Sequence, residues 1–237
     1  MNYKLLSVIV PVYNEESTIS EVIMRINENP LPIDKEIVVI DDGSNDSTKS
    51  ILSEQPDIAR LYLTPVNIGK GAAIRIGLTL VNGDIILIQD ADLELAPEEC
   101  GRLLTPILNG NAKVVYGSRF LNKSNQVPFL RRFANRFLTM TTNFLFGGNL
   151  TDMETAYKVF TREVAENIHL TANRFDIEPE ITAKIRRAGY EILEVPISYS
   201  PRTKSEGKKI RWTDGFRALS MLFRCYFKNE EYNESSK

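Results

Sequence analysis

Short apolar runs and spaced apolar stripes alternate along the first 118 residues. Leu5–Val12 is a nearly unbroken apolar run stopping at Pro11-Val12, the pattern of a strand buried on both faces. From Ser17 onward the apolar residues are Ile19, Val22, Ile23 and Ile26, which share one face of a helix. Residues 36–40 repeat the strand pattern, and Asp46 or Ser47 is placed to cap a short helix towards Gln55. Arg60–Leu63 reads as a third strand, 71–80 as a helix and 84–89 as a fourth strand. Pro97 opens a further helix at a position where its missing N–H does no harm, and 113–117 reads as a fifth strand. Repeated strand–helix–strand units predict an α/β fold, an open, mostly parallel sheet with helices on both faces.

The later residues follow another pattern. Residues 119–150 carry Arg119, Lys123, Arg131, Arg132 and Arg136 and no acid. Within Phe129–Phe146, Phe129, Phe133, Phe137, Met140 and Phe144 recur at three- or four-residue steps. A basic, aromatic, amphipathic stretch suits an interfacial helix, and equally a core helix whose arginines extend outward to water. Thr151 with Glu154 three positions on has the form of a capping box at a helix start. A helix is expected over 178–188, a strand over 191–199, a basic glycine-containing loop over 202–211 and an amphipathic helix over Trp212–Phe227. A polar tail, 229–237, follows. Neither an internal repeat nor a low-complexity linker interrupts the chain.

Composition narrows the chemistry. A chain of 237 residues, 43% hydrophobic and 25% charged, can bury a sizeable core without disulfide or metal staples. Cys100 and Cys225 lie in no paired motif, which excludes a disulfide scaffold and a Cys-type zinc site and leaves them as packing residues. The single histidine, His169, excludes any site built on two histidines and is expected to be structural or exposed. Residues 1–118 carry 9 Lys+Arg against 17 Asp+Glu, a net of −8, and residues 119–237 carry 20 against 14, a net of +6. The acidic half suits a cation and the basic half an anion, unless the imbalance is only surface charge. Nucleic acid is not an expected partner, because no basic stripe interleaved with aromatics appears in the first half. No signal peptide is expected, since the opening apolar run is short and stops at Pro11. No stretch reaches the roughly 18 apolar residues of a membrane span. The expected location is therefore cytoplasmic, free or peripheral on a membrane surface.

In open α/β sheets, ligands bind beyond the carboxyl ends of the strands. Tyr13-Asn14-Glu15, Asp41-Asp42 and Asp90-Ala91-Asp92 all fall at such ends. Asp90 and Asp92 can face one divalent ion if the chain turns there, and carboxylate oxygens suit Mg²⁺ or Mn²⁺. Asp41-Asp42-Gly43-Ser44 is a turn by composition, or sets an aspartate against a base or ribose hydroxyl. Ile68-Gly69-Lys70-Gly71 can cradle a phosphate, although its spacing is neither that of the P-loop nor that of the dinucleotide fingerprint.

Taken in order, Pro11-Val12-Tyr13-Asn14-Glu15, Asp41-Asp42-Gly43-Ser44, Asn67-Ile68-Gly69-Lys70-Gly71, Asp90-Ala91-Asp92 and Gly117-Ser118-Arg119 resemble the motifs of family 2 glycosyltransferases with the GT-A fold. The chain looks most like the polyprenyl-phosphate sugar transferases, over about residues 5–215. The resemblance implies one GT-A domain over 1–228, with a nucleotide-sugar and metal half at 1–118 and an acceptor half at 119–228. It implies that Pro11, Tyr13, Asn14, Glu15, Asp41, Asp42, Lys70 and Asp90 meet the donor nucleotide, and that Asp92 binds Mg²⁺ or Mn²⁺ on the donor diphosphate. Asp90, Asp92 and Arg119 would be catalytic, and Arg119, Arg131, Arg132 and Arg202 would meet the acceptor phosphate. Some relatives extend into a C-terminal membrane pair that this sequence does not show, and whether a separate membrane protein receives the product is left open. The oligomeric state is left open. Asp152-Met153-Glu154-Thr155 departs from the smaller, less acidic segment of many mannosyl enzymes.

The acceptor decides what else is needed. A phosphate monoester is already a nucleophile at neutral pH, since its second ionisation lies near pKa 6. It needs positive charge to sit beside an anionic donor, and arginine suits bidentate phosphate contact. Attack from the face opposite the leaving diphosphate would invert the sugar. A glycan hydroxyl would instead need a general base, for which Asp152 and Glu154 are the candidates. A non-catalytic nucleotide-sugar-binding module is the remaining alternative, and the intact Asp90 and Asp92 argue against it.

Overall fold

The computed structural model describes residues 3–202 and 212–228. These form a seven-stranded sheet: β1 (Leu5–Val12), β2 (Asp34–Asp41), β3 (Arg60–Leu63), β4 (Ile85–Ile88), β5 (Val114–Ser118), β6 (Lys158–Thr161) and β7 (Leu193–Pro196). The order across the sheet is β3-β2-β1-β4-β6-β5-β7. β6 runs antiparallel to β4 and β5, and the other pairings are parallel. The helices are α1 (Ile19–Glu28), α2 (Thr48–Ser53), α3 (Lys70–Leu80), α4 (Cys100–Leu108), α5 (Phe129–Phe146), α6 (Arg162–Asn167), α7 (Ile177–Arg187) and α8 (Trp212–Phe227).

β1 shows why the sheet is covered twice. Leu6, Val8, Val10 and Val12 pack into one apolar cluster with α1 and α4, while Ile9 points into a second cluster with α3, α7 and α8. A strand flanked on both faces has to be apolar at every position, as β1 nearly is. Cys100 and Cys225 are buried, one in each of these clusters.

Three features differ from the sequence expectation. β6 was not expected, because Lys158 opens it, yet all four of its residues are buried. No helix starts at Thr151: the segment turns directly into β6. Instead Thr151 donates N–H and hydroxyl to Glu194 Oε2, at 2.7 and 2.9 Å. The third concerns α5. Both an interfacial and a core helix were open there, and α5 has features of each: Leu138, Leu145 and Phe146 pack on the second cluster, while its other buried residues are the polar Asn135, Thr139 and Thr142. Its aromatic stripe faces outward, with Phe129 83% and Phe144 88% exposed. Of the expected 202–211 loop only Arg202 is described, and the 229–237 tail lies outside the described residues. Among the described residues no helix is long and apolar enough to cross a membrane.

Candidate active site

The loops after β1 and β2 are tied together. Asn14 takes a left-handed φ of 51°, tolerated by asparagine better than by most residues. Its N–H donates to Ser44 Oγ at 2.9 Å, and its Oδ1 accepts from Asn45 N–H at 2.9 Å. Pro11, Tyr13, Asn14 and Glu15 thereby stand beside Asp41 and Asp42. Both aspartates are buried and engaged within this loop region. Asp41 accepts from the Ser44 amide and hydroxyl. Asp42 accepts from the N–H groups of Ile68 and Gly69, each at 2.8 Å, and from Asn67 Nδ2 at 2.9 Å.

Gly69 and Gly71 serve a close approach of backbone to backbone. A Cβ on Gly69, whose φ is +106°, would meet Asn173 O at 2.2 Å, and one on Gly71 would meet Ala172 O at 2.6 Å. The Ala72 N–H donates to that same Asn173 carbonyl at 3.1 Å. The contact delivers Lys70 into the interior, where Nζ lies 2.7 Å from Asp90 Oδ1 and 3.0 Å from Glu178 Oε1. Glu178 also pairs with the fully buried Lys158. Burial raises the Glu178 carboxyl, but the two lysines outweigh it and hold it below its ordinary value. Lys70 is thus enclosed between two carboxylates.

At the tip of β4 the chain does turn. Leu93 adopts φ 59°, uncommon for leucine, and Glu94 N–H donates to Asp92 Oδ1 at 3.0 Å. Burial, then the neighbouring carboxylates of Asp90 and Glu94, push Asp92 up to about 7. Among the described residues no three Asp, Glu, His or Cys side chains form a ready-made cage. The donor set still fits Mg²⁺ or Mn²⁺. Such ions are commonly held by one or two carboxylates with substrate phosphates completing the shell, and a cation would relieve the charge crowded around Asp92.

The arginines gather across from this turn. Arg119 follows β5 and donates to Asp152 from Nε (2.7 Å), NH2 (2.8 Å) and its backbone N–H (3.0 Å). Its guanidinium lies 5.3 Å from the ring of Tyr199. Arg131 NH1 donates to Tyr199 Oη at 2.8 Å and lies 3.8 Å from Glu94 Oε1. Arg202 donates its backbone N–H to Glu94 Oε1 at 2.8 Å, and its guanidinium bonds Glu15 Oε2 at 2.7 Å and Thr18 Oγ1 at 3.1 Å. Arg119 and Arg131 therefore meet at Tyr199, whose hydroxyl donates to Glu94 Oε2 at 3.1 Å, and Arg202 reaches the other oxygen of the same Glu94. Arg132, exposed on α5, shares the Phe120 ring with Arg119, each guanidinium 6.0 Å from its centre.

Asp152 is not free to act as a base. It is fully buried and accepts four hydrogen bonds, three from Arg119 and one from Asn135 Nδ2 at 2.7 Å. Burial raises its carboxyl, but Arg119 overcomes this and holds it below the ordinary value. Glu154 differs: its Oε1 is enclosed without a hydrogen-bond partner, and burial followed by the Glu178 charge pushes it up to about 7.

Sequence reasoning missed Glu94, Tyr199, Lys158 and Glu178. Glu94 was findable as the third alternating carboxylate of Asp90-Ala91-Asp92-Leu93-Glu94. The buried Lys158–Glu178 pair left no local trace.

The model of the family described as Glycosyl transferase family 2 matches residues 7–169. A dolichyl-phosphate beta-glucosyltransferase of Trichomonas vaginalis is 32% identical over 228 residues, covering 87% of this chain and 68% of that protein. A polyprenol monophosphomannose synthase of Mycolicibacterium smegmatis is 30% identical over 220 residues, covering 86% and 82%. In fold the chain is similar to the glucosyl-3-phosphoglycerate synthase of Mycobacterium tuberculosis, crystallised with Mn²⁺ and uridine diphosphate. The TM-score is 0.74 at 22% identity, covering 96% of this chain and 82% of that one. With a GT-A-like mixed sheet, the family's sequence pattern and relatives of this kind, the chain belongs to glycosyl transferase family 2 and is a glycosyltransferase.

Proposed function

We propose that the protein moves a sugar from a GDP-mannose- or UDP-glucose-type donor to a polyprenyl phosphate (dolichyl or undecaprenyl) at a membrane surface, with inversion. One observation carries this reading. Arg119 and Arg131 meet at Tyr199, Arg202 joins them through Glu94 beside Asp92, and α5, which supplies Arg131, turns an aromatic face outward. A lipid phosphate has two parts, and α5 offers chemistry for both: guanidinium for the headgroup, exposed phenylalanines for the chain. The relatives named for dolichyl phosphate and polyprenol chemistry support the same acceptor class.

In this scheme the loops at 11–15 and 41–44 hold the nucleotide. Asp92 would hold Mg²⁺ or Mn²⁺ on the donor diphosphate, and when bound the ion supplies Lewis-acid stabilisation of the leaving group. Arg119, kept charged and oriented by Asp152, and Arg131 and Arg202 hold the acceptor phosphate in line with the anomeric carbon. No base is required, because the phosphate is already ionised. Arg132 and Arg136, exposed on α5, add on the order of 1 kcal/mol each at an anionic surface.

The test is an assay of nucleotide-sugars with Mg²⁺ or Mn²⁺ and a short polyprenyl phosphate. Arg131→Ala is expected to lower lipid-phosphate transfer by about 100-fold while nucleoside diphosphate still binds. Unchanged transfer, or transfer only to glycan hydroxyls, would overturn the acceptor assignment, and a retained product anomer would overturn inversion. A second reading, transfer to a hydroxyl, is favoured only by Glu154, whose carboxyl lies near 7, where a general base works best.

A further inference from the structure

The scheme above leaves one buried carboxyl without a task. Glu154 stands among four charged neighbours: Glu178 and Lys158, and Arg119 and Asp152. All four are already matched, Lys158 with Glu178 and Arg119 with Asp152. Glu154 Oε1 is enclosed and accepts nothing. A buried acceptor with no donor costs the fold free energy comparable to a lost hydrogen bond, and such atoms in native proteins call for an explanation.

Its position supplies one. Glu178 shares Lys70 with Asp90, so one neighbour of Glu154 leads to the strand tip where the diphosphate departs. Arg119 is the other neighbour, where the acceptor phosphate is held. In an in-line displacement the sugar lies between leaving and attacking oxygens. An anionic oxygen would be repelled from Glu154, and a cation has no need of it with Asp92 nearby. The donors that the space between those ends will contain are hydroxyl groups.

The geometry points to Glu154 as the acceptor of a hydrogen bond from a hydroxyl of the transferred sugar, a contact that selects donors carrying that hydroxyl. This rests on the sugar-transfer reading and deepens it. A site built to bond a hydroxyl rejects the analogue lacking it, because its own polar group is then left unpaired. The donor sugar, and not only the nucleotide, is thereby chosen from the 151–157 segment.

Calorimetric titration tests this, with UDP, GDP, UDP-glucose, GDP-mannose and their monodeoxy and epimeric analogues as probes. Glu154→Ala is expected to bind the nucleoside diphosphate no more weakly than wild type, but its cognate nucleotide-sugar about 10- to 100-fold more weakly. The analogue lacking the contacted hydroxyl is expected to bind wild type and variant alike. Glu154→Gln, of the same shape, gives a folded protein if alanine does not, with a smaller loss confined to the nucleotide-sugar. Unchanged nucleotide-sugar affinity in both variants with transfer lost would overturn the inference and identify a base instead. Equal weakening of nucleotide and nucleotide-sugar would also overturn it. If wild type binds nucleotides but no nucleotide-sugar, the donor reading falls, and this inference with it.

Discussion

α1 and α5 are both strongly amphipathic, yet they point opposite ways. α1 buries Ile19, Val22, Ile23 and Ile26 against the sheet. α5 buries Asn135, Leu138, Thr139 and Thr142 and leaves Phe129, Phe133, Phe137 and Phe144 in the open. The polar edge of α5 forms a chain of contacts: Met153 N–H donates to Thr139 Oγ1, which donates to Asn135 Oδ1, while Asn135 Nδ2 donates to Asp152. Periodicity therefore reveals that a helix has an apolar face but not what covers it. In α1 the cover is protein; in α5 the protein side is where the buried carboxylate of Asp152 is positioned.

That contrast can be broken at its inner edge first. Asp152→Ala leaves Arg119 buried and uncompensated, and should cost about 3–5 kcal/mol in urea unfolding along with acceptor use. Next comes a paired test of the two faces. Ile23→Ala on α1 should cost about 2–5 kcal/mol, whereas Phe133→Ala on α5, 64% exposed, should stay within about 0.5 kcal/mol. Flotation with anionic liposomes at low salt should reverse the order: Phe133→Ala loses binding and Ile23→Ala, where folded, keeps it. Equal stability losses at both positions would mean that α5 is covered by protein after all. The smallest expected effect depends on pH. Glu154 titrates at about 7 in the fold against an ordinary 4.5, so between those values the folded state holds a proton that the unfolded chain has lost. Stability contributed by this group is full below about pH 4.5 and falls as pH rises towards 7. Glu154→Gln should thus gain on wild type between pH 5 and 8, by on the order of 1–3 kcal/mol in parallel urea titrations.

The acidic clusters at the strand ends were legible because their signals are local. β1, β2 and β4 are apolar runs that break abruptly at Glu15, Asp41 and Asp90, and such breaks mark strand ends. The arginine-rich side of the site is written in long-range pairs. Lys158 makes β6 look polar until Glu178, twenty positions on, neutralises it. Thr151 and Glu154 form a sequence motif for capping, yet Thr151 bonds Glu194 instead and Glu154 faces the charges of Glu178 and Lys158. The charge asymmetry of the halves was visible, but not that Glu15 and Glu94 of the acidic half pair with Arg202 and Arg131 of the basic one.

The abutment of Gly69 and Gly71 on the Ala172–Asn173 carbonyls has a consequence for protein engineering. There the early part of the chain meets the late part mainly through main chain, and the nearest obstacles to a Cβ are the Asn173 and Ala172 carbonyls, which no trimming of a side chain would relieve. Grafting residues 119–228 onto a foreign partner would therefore succeed only if both glycines travel with them, since a single methyl group at either would wedge the joint open and withdraw Lys70 from Glu178.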